Sequence, residues 1–163
     1  MNLFSEEEKI KLAKLKETND KSEAFFVSKI EEWSQNLEPL FDTLKENFTQ
    51  QNFKKIIEIQ SIALSYRQRI NEQISLFLNK RSIEEVKLKK LKQDKFVFYA
   101  TGFGLKTNMG EKTILIDAHI SENERIIQLI ENFIEFLRSS SKNLESLGFT
   151  IKNIIELMNY LGK

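Results

Sequence analysis

Apolar side chains recur at three- and four-residue spacing over most of this chain, the signature of amphipathic helices. Ser5-Glu6-Glu7-Glu8 has the Ser-x-x-Glu form of a capping box, and three acidic residues suit the positive end of a helix dipole. A short helix is expected from there to about Glu17. Thr18-Asn19-Asp20 reads as a break and a new cap. Phe25, Phe26, Ile30 and Trp33 then follow helical spacing, and Leu40, Phe41, Leu44 and Phe48 continue it. Pro39 places a boundary or kink near residues 36–39, and residues 50–52 form a weak joint. From Phe53 the period strengthens through Ile56, Ile59, Ala63, Tyr66, Ile70 and Phe77, with polar Gln73 at one step. This predicts a long helix over 53–79 with a coiled-coil-like seam. Asn79-Lys80-Arg81-Ser82 interrupts it, and a second capping box at Ser82 opens a basic helix over 82–95. The apolar members of that helix, Ile83, Val86, Leu88 and Leu91, make no single clean stripe.

The pattern changes at Phe96. Phe96 to Thr101 and Thr113 to Asp117 are aromatic and β-branched, and the residues between include Gly102, Gly104 and Gly110. Two short strands are expected over 96–117. A two-stranded ribbon is marginal alone, so it must pack on helices or on another subunit. A further capping box at Ser121 precedes the seam Ile126, Ile130, Phe133, Leu137, Leu144 and Leu147. Gly148 is expected to stop that helix, and Thr150 to cap a last one ending at Gly162, completing a pair of helices over 121–161. Ile127, Leu129, Ile134 and Phe136 lie off the seam. Two apolar stripes exceed what one seam needs, which predicts a subunit interface through Ile126, Ile130, Phe133, Ile134, Leu137, Ile154, Ile155 and Met158. The expected fold class is mainly α: a helical-bundle, coiled-coil-like protomer with a small two-stranded β element, assembled as a homo-oligomer. Residues 1–50 read as a helical extension and 51–163 as the main domain.

Composition narrows the function. The 163 residues suffice for one domain, with or without an appended arm. No apolar run is long enough for a transmembrane span, and the first residues lack the basic start and apolar core of a signal peptide. The absence of Cys excludes disulfides, thiolate metal sites and Cys nucleophiles, and fits a cytoplasmic location. The net charge of +1 hides an asymmetry. Residues 61–112 carry 11 basic and 5 acidic side chains, against 9 and 12 in residues 1–60 and 5 and 7 in residues 113–163. A polyanion would meet the middle third first.

Catalytic chemistry has no evident carrier. The one histidine, His119, lacks a metal-ligand partner at a suitable spacing and reads as a surface or capping residue. Glu31/Glu32 and Glu84/Glu85 are carboxylate pairs of the kind found on solvated helix faces. Gly102-Phe103-Gly104 does not extend to a dinucleotide fingerprint, and there is no Walker lysine. No enzyme activity, metal or cofactor is expected.

The basic stretch offers more. Lys80 to Lys95 holds seven basic and three acidic residues, and Phe96, Phe98 and Tyr99 follow at once. Cations beside flat apolar rings suit a phosphate backbone and unpaired bases. Lysine dominates, which favours backbone attraction over base-specific bidentate contacts. The candidate DNA-binding residues are Lys80, Arg81, Lys87, Lys89, Lys90, Lys92, Lys95, Tyr99, Lys106 and Lys112. In a strand, Phe96 and Phe98 share one face and Tyr99 takes the other, which makes Tyr99 the stacking candidate. The alternative is an oligomeric helical scaffold or adaptor whose lysines only solubilise it.

Four collinear elements over roughly residues 55–163 carry a resemblance. They are Leu78-Asn79-Lys80-Arg81-Ser82, Lys95-Phe96-Val97-Phe98-Tyr99-Ala100-Thr101-Gly102, Ile116-Asp117-Ala118-His119, and Leu147-Gly148-Phe149-Thr150-Ile151-Lys152 with its continuation to Gly162. Together they resemble the UvsY-type recombination mediators of T-even-like phages: a helix break, a basic and aromatic Tyr-Ser/Thr-Gly element, an acidic junction, and a closing Phe-x-Ile-Lys helix. The chain departs from that pattern at His119, which stands at an acidic position, at Gln93, which stands at a basic one, and in its first fifty residues. The resemblance implies a ring-like homo-oligomer of six or seven subunits assembled through the C-terminal helices. It implies single-stranded DNA binding, contact with a RecA-like recombinase and a single-strand-binding protein, and loading of that recombinase during DNA recombination, repair and replication, in the host cytoplasm for a phage-encoded protein. It implies neither catalysis nor a metal. Residues 1–50 are left with three roles: cover for the oligomer, a partner dock, or an intramolecular mimic of the DNA.

Overall fold

The computed structural model describes residues 5–101 and 109–162, and these form three helices: α1 (Glu6–Thr49), α2 (Phe53–Thr101) and α3 (Met109–Leu161). The protein is mainly α. The expected strands are helical in the structure, and no strand is present among the described residues. Local β preference gives way to packing here, where Tyr99 and Ile116 enter a common buried cluster with Ile120. The Gly102–Gly104 part of the expected hairpin, with Lys106, lies outside the described residues.

The first cap forms as expected. The Glu8 amide donates to Ser5 Oγ at 3.2 Å and the Ser5 amide donates to Glu8 Oε2 at 2.9 Å. The joint near residue 50 also forms. Gln51 takes a left-handed conformation (φ 55°), its amide bonds the Phe48 carbonyl, and the Asn52 amide reaches back to the Asn47 carbonyl at 2.9 Å. That is a Schellman ending with glutamine where glycine is usual. Asn52 Oδ1 then accepts from the Lys55 amide and caps α2.

The other expected breaks are continuous helix. At 18–20 the side chain of Asn19 is 1% exposed and donates to the Glu122 carbonyl and carboxylate at 2.7 and 2.9 Å. It is committed to α3 and does not cap its own backbone. At 79–82, Arg81 donates to Glu85 and Glu131 at 2.9 and 3.1 Å, and α2 passes straight through. Pro39 lies inside α1 on the exposed side, while Leu37 and Leu40 on either side are buried and hold the helix in place. Gly148 does not stop α3, and a Cβ built there meets nothing within 4 Å. Gly148→Ala is therefore expected to stabilise the fold by about 0.5–1 kcal/mol, read as a raised Tm, because alanine restricts the unfolded chain at no steric cost.

Two compact units result. One takes its described residues from Met1–Phe26 and Leu78–Asn132, the other from Val27–Phe77 and Phe133–Lys163, so each helix supplies a segment to both. The second unit has an apolar core. Trp33, Leu40 and Leu44 of α1 are buried there, as are Ile56, Ile59 and Ile70 of α2 and Phe133, Leu137 and Ile151 of α3. Phe77 and Phe133 meet edge to face at 4.9 Å, and Trp33 meets Tyr66 likewise at 5.9 Å. The polar step at Gln73 is satisfied, since its Oε1 accepts from Trp33 Nε1 at 3.1 Å. The first unit has a smaller apolar cluster of Tyr99, Ile116 and Ile120, with Leu88, Leu91 and Leu115 against it. Phe26 and Ile130 are buried in this unit as well, and polar Asn19 and His119 take other buried positions.

The two stripes on α3 have a different destination from the one expected. Ile130, Phe133, Ile134 and Leu137 are 0–1% exposed within the single chain, while Ile126, Ile154, Ile155 and Met158 are half-buried. A helix that packs on two neighbours needs two apolar faces, so the first four belong to the chain's own core, where a subunit interface was expected.

Candidate nucleic-acid interface

Within the first unit, α2 positions the basic residues. Its inward register runs Arg81, Glu84, Leu88, Leu91, Lys95 and Tyr99, a three-four spacing in which a charged pair, an apolar pair, a lysine and a tyrosine succeed one another. The remaining lysines point outward by default. Lys87 pairs with Glu84 of its own helix at 2.7 Å, and Lys92 with Glu124 of α3 at 2.8 Å. Lys95 is the most covered of the series. Its Nζ donates to Glu8 Oε1 at 2.5 Å and lies 5.7 Å from the centre of the Phe98 ring. Lys80 is exposed on α2, and Lys112 is half-buried on α3. Lys89 and Lys90 are exposed and make no ion pair among the described residues. They are adjacent in sequence and about two turns before Phe96 on α2. These two are the cations most available to an external anion, because they hold no carboxylate that a phosphate would have to displace.

The aromatic residues exchange roles relative to the strand expectation. Tyr99 is 4% exposed and packed, whereas Phe96 and Phe98 are 44% and 48% exposed. A period of 3.6 places Tyr99 one turn beyond Lys95 on the inward side and turns the two phenylalanines toward solvent. Tyr99 accordingly has no open ring face for a base, and any stacking surface on this segment is Phe96 or Phe98.

A buried polar network lies beneath this surface. The Tyr99 hydroxyl and His119 Nε2 are 2.7 Å apart, and Glu8 of α1 and Lys95 of α2 pair beside them. His119 is buried, not the surface or capping residue read from its sequence position. Burial and the neighbouring Lys95 charge hold its imidazole below the ordinary value, against a smaller opposing effect of Glu8. The hydrogen bond from Lys95, helped by the Ser5 amide, holds the Glu8 carboxyl at about 2. Burial raises the Tyr99 phenol, and the Glu8 charge adds to it. Farther along α3, Arg125 bonds Asp20 at 2.7 Å, and also Glu23, and its guanidinium is held more firmly protonated as a result. The sequence contained a signal for this network. Glu8, Leu12, Leu15, Asn19 and Ser22 follow one three-four register, with polar residues at positions where a hydrophobicity pattern records gaps.

The outward face of α2 offers electrostatic and stacking chemistry, from exposed lysines and the rings of Phe96 and Phe98. Among the described residues no cluster of His, Asp and Glu could hold a metal ion, and no helix is long and apolar enough to cross a membrane. Outward apolar residues share the α2 segment with the lysines: Ile83, Val86 and Val97 are all exposed. On α3, Phe149, Leu157, Tyr160 and Leu161 are exposed as well. In comparisons with known proteins, no family model, no curated protein and no solved structure matches this chain.

Proposed function

We propose that this protein binds single-stranded DNA through the outward face of α2 and acts as a recombination mediator, helping a RecA-like recombinase onto strands coated with a single-strand-binding protein. The observation that carries the reading is the pairing of unneutralised Lys89 and Lys90 with the exposed rings of Phe96 and Phe98 on one helical segment. The collinear resemblance over residues 55–163 supports it and supplies the recombinase partner. Unpaired strands are favoured over duplex, because bases must be free to meet a ring.

One such site is weak. Two phosphate contacts release few counterions, so useful affinity needs several copies acting together. A homo-oligomer, as a ring of six or seven subunits, supplies them. Its assembly surface is the exposed C-terminal part of α3 with half-buried Ile154, Ile155 and Met158, since Phe149, Leu157 and Tyr160 are left uncovered by the chain itself. The same exposed apolar residues also favour a second reading, a helical scaffold that assembles without DNA.

A salt titration of binding to a labelled oligonucleotide separates the two. Changing Lys89 and Lys90 to Gln is expected to flatten the dependence of log affinity on log salt by about 0.7 for each lost phosphate contact. An unaltered slope, or no binding in dilute buffer, favours the scaffold.

A further inference from the structure

The same unit carries a feature that phosphate attraction leaves unused. Between α2 and α3 runs a groove of about 470 Å³, lined by Lys92, Gln93, Phe96 and Val97 on one side and by Thr113, Ile116 and Asp117 on the other. Its size falls in the range of small-ligand sites. Its chemistry is uneven in an informative way. Phe96 gives it an aromatic wall, exposed Val97 an apolar rim and buried Ile116 an apolar floor. Gln93 supplies an amide and Asp117 a carboxylate, both exposed at the rim. Lys89 lies two turns before Phe96 on α2 and Lys92 one turn before, so cations flank the aromatic wall.

A carboxylate at this place is unexpected in a surface that only attracts phosphate, because it repels the backbone. It makes sense opposite a hydrogen-bond donor carried by a flat ring. We propose that the groove accepts one unpaired nucleobase, stacked on Phe96, and that Asp117 selects bases presenting an exocyclic amino group. Cytosine offers an N4 amino donor where thymine offers an O4 acceptor. An ionised carboxylate accepts from the first and faces the second with repulsion between lone pairs. Gln93 can donate or accept, so it completes the edge without discriminating. Lys89 and Lys92 then hold the flanking phosphates, Lys92 by exchanging its Glu124 partner. The inference rests on the single-strand reading above and adds base selection to it.

The test is fluorescence anisotropy with labelled 25-mers of deoxycytidine, deoxythymidine and an abasic backbone, at pH 7.5 and low salt. Deoxycytidine is expected to bind at least tenfold more tightly than deoxythymidine, and the abasic strand most weakly. Asp117→Asn, which can offer thymine a donor, is expected to bring the two homopolymers within twofold of each other. Phe96→Ala is expected to reduce both to the level of the abasic strand. Circular dichroism would verify that each exposed substitution leaves the helices intact. Equal binding of all three strands by the unsubstituted protein overturns the groove while leaving strand binding in place. A cytosine preference that Asp117→Asn leaves untouched overturns the assignment to Asp117. Failure of every strand to bind removes the underlying reading and this one with it.

Discussion

Phe133→Ala is expected to destabilise the protein by about 3–5 kcal/mol, the usual cost of deleting a fully buried phenylalanine. The ring is 1% exposed, meets Phe77 edge to face at 4.9 Å and stacks near Phe136 at 6.4 Å. Small domains hold only about 5–15 kcal/mol in total, so the loss removes a large share. Urea unfolding followed by circular dichroism at two protein concentrations checks both size and origin. A lowered midpoint that is the same at both concentrations fits a ring inside the protomer. A loss that shrinks as concentration rises would return Phe133 to a subunit interface, where the sequence pattern had placed it. Phe149→Ala is the control: its ring is exposed, and its effect on protomer stability should stay within about 0.5 kcal/mol.

The two units differ in how well the chain announces them. In the second unit, Ile56, Ile59, Ala63, Ile70 and Phe77 form a nearly unbroken apolar series, and the helix they predict is present. In the first unit the same register continues, but its inward positions include Glu8, Asn19, Arg81, Glu84, Lys95 and His119. Polar residues interrupt the apolar periodicity there, and at 18–20 and 79–82 the interruptions imitate helix breaks. What holds these positions is pairing across the chain: Lys95 with Glu8 over 87 residues and Asn19 with Glu122 over 103. Neither partner advertises the other.

Capping boxes misled for a related reason. Ser5, Ser82 and Ser121 have the same local pattern, and only Ser5 starts a helix. Ser82 and Ser121 sit where neighbouring residues already pack into helices, and a cap motif has no force against that. The strand expectation failed because Phe96-Val97-Phe98-Tyr99 reads equally well at a period of two. The hydrogen bond between the Tyr99 hydroxyl and His119 Nε2 joins residues 20 apart and was invisible in the sequence. The outward lysines were legible from composition alone, whereas their neutralisation by Glu84 and Glu124 and the exposure of Phe96 in place of Tyr99 required the fold.

Acidification is expected to loosen the first unit before the second, in two steps. The groups facing His119 are Glu8 and Lys11 from α1, Lys95 and Tyr99 from α2, and Asn123 on its own helix. Its imidazole titrates below the usual 6.5 when folded, so over the interval beneath 6.5 the unfolded chain binds a proton that the folded chain does not. The contribution of His119 is therefore complete above pH 6.5 and is lost as pH falls toward the lower folded value. Glu8 acts in the same direction at lower pH. Its contribution is complete above the ordinary 4.5 and disappears as pH falls to about 2. Allowing for solvent screening of a carboxylate that is one-third exposed, its loss is worth about 1–2 kcal/mol. The apolar core of the second unit has no buried counterpart to either group. Hydrogen exchange at pH 7.5, 5.5 and 3.5 should show residues 88–99 of α2 losing protection while residues 56–70 of the same helix retain it. His119→Gln keeps a neutral partner for the Tyr99 hydroxyl and should abolish the step near neutrality, leaving the Glu8 step in place. A variant that loosened over the same interval as the parent would show that another group controls it.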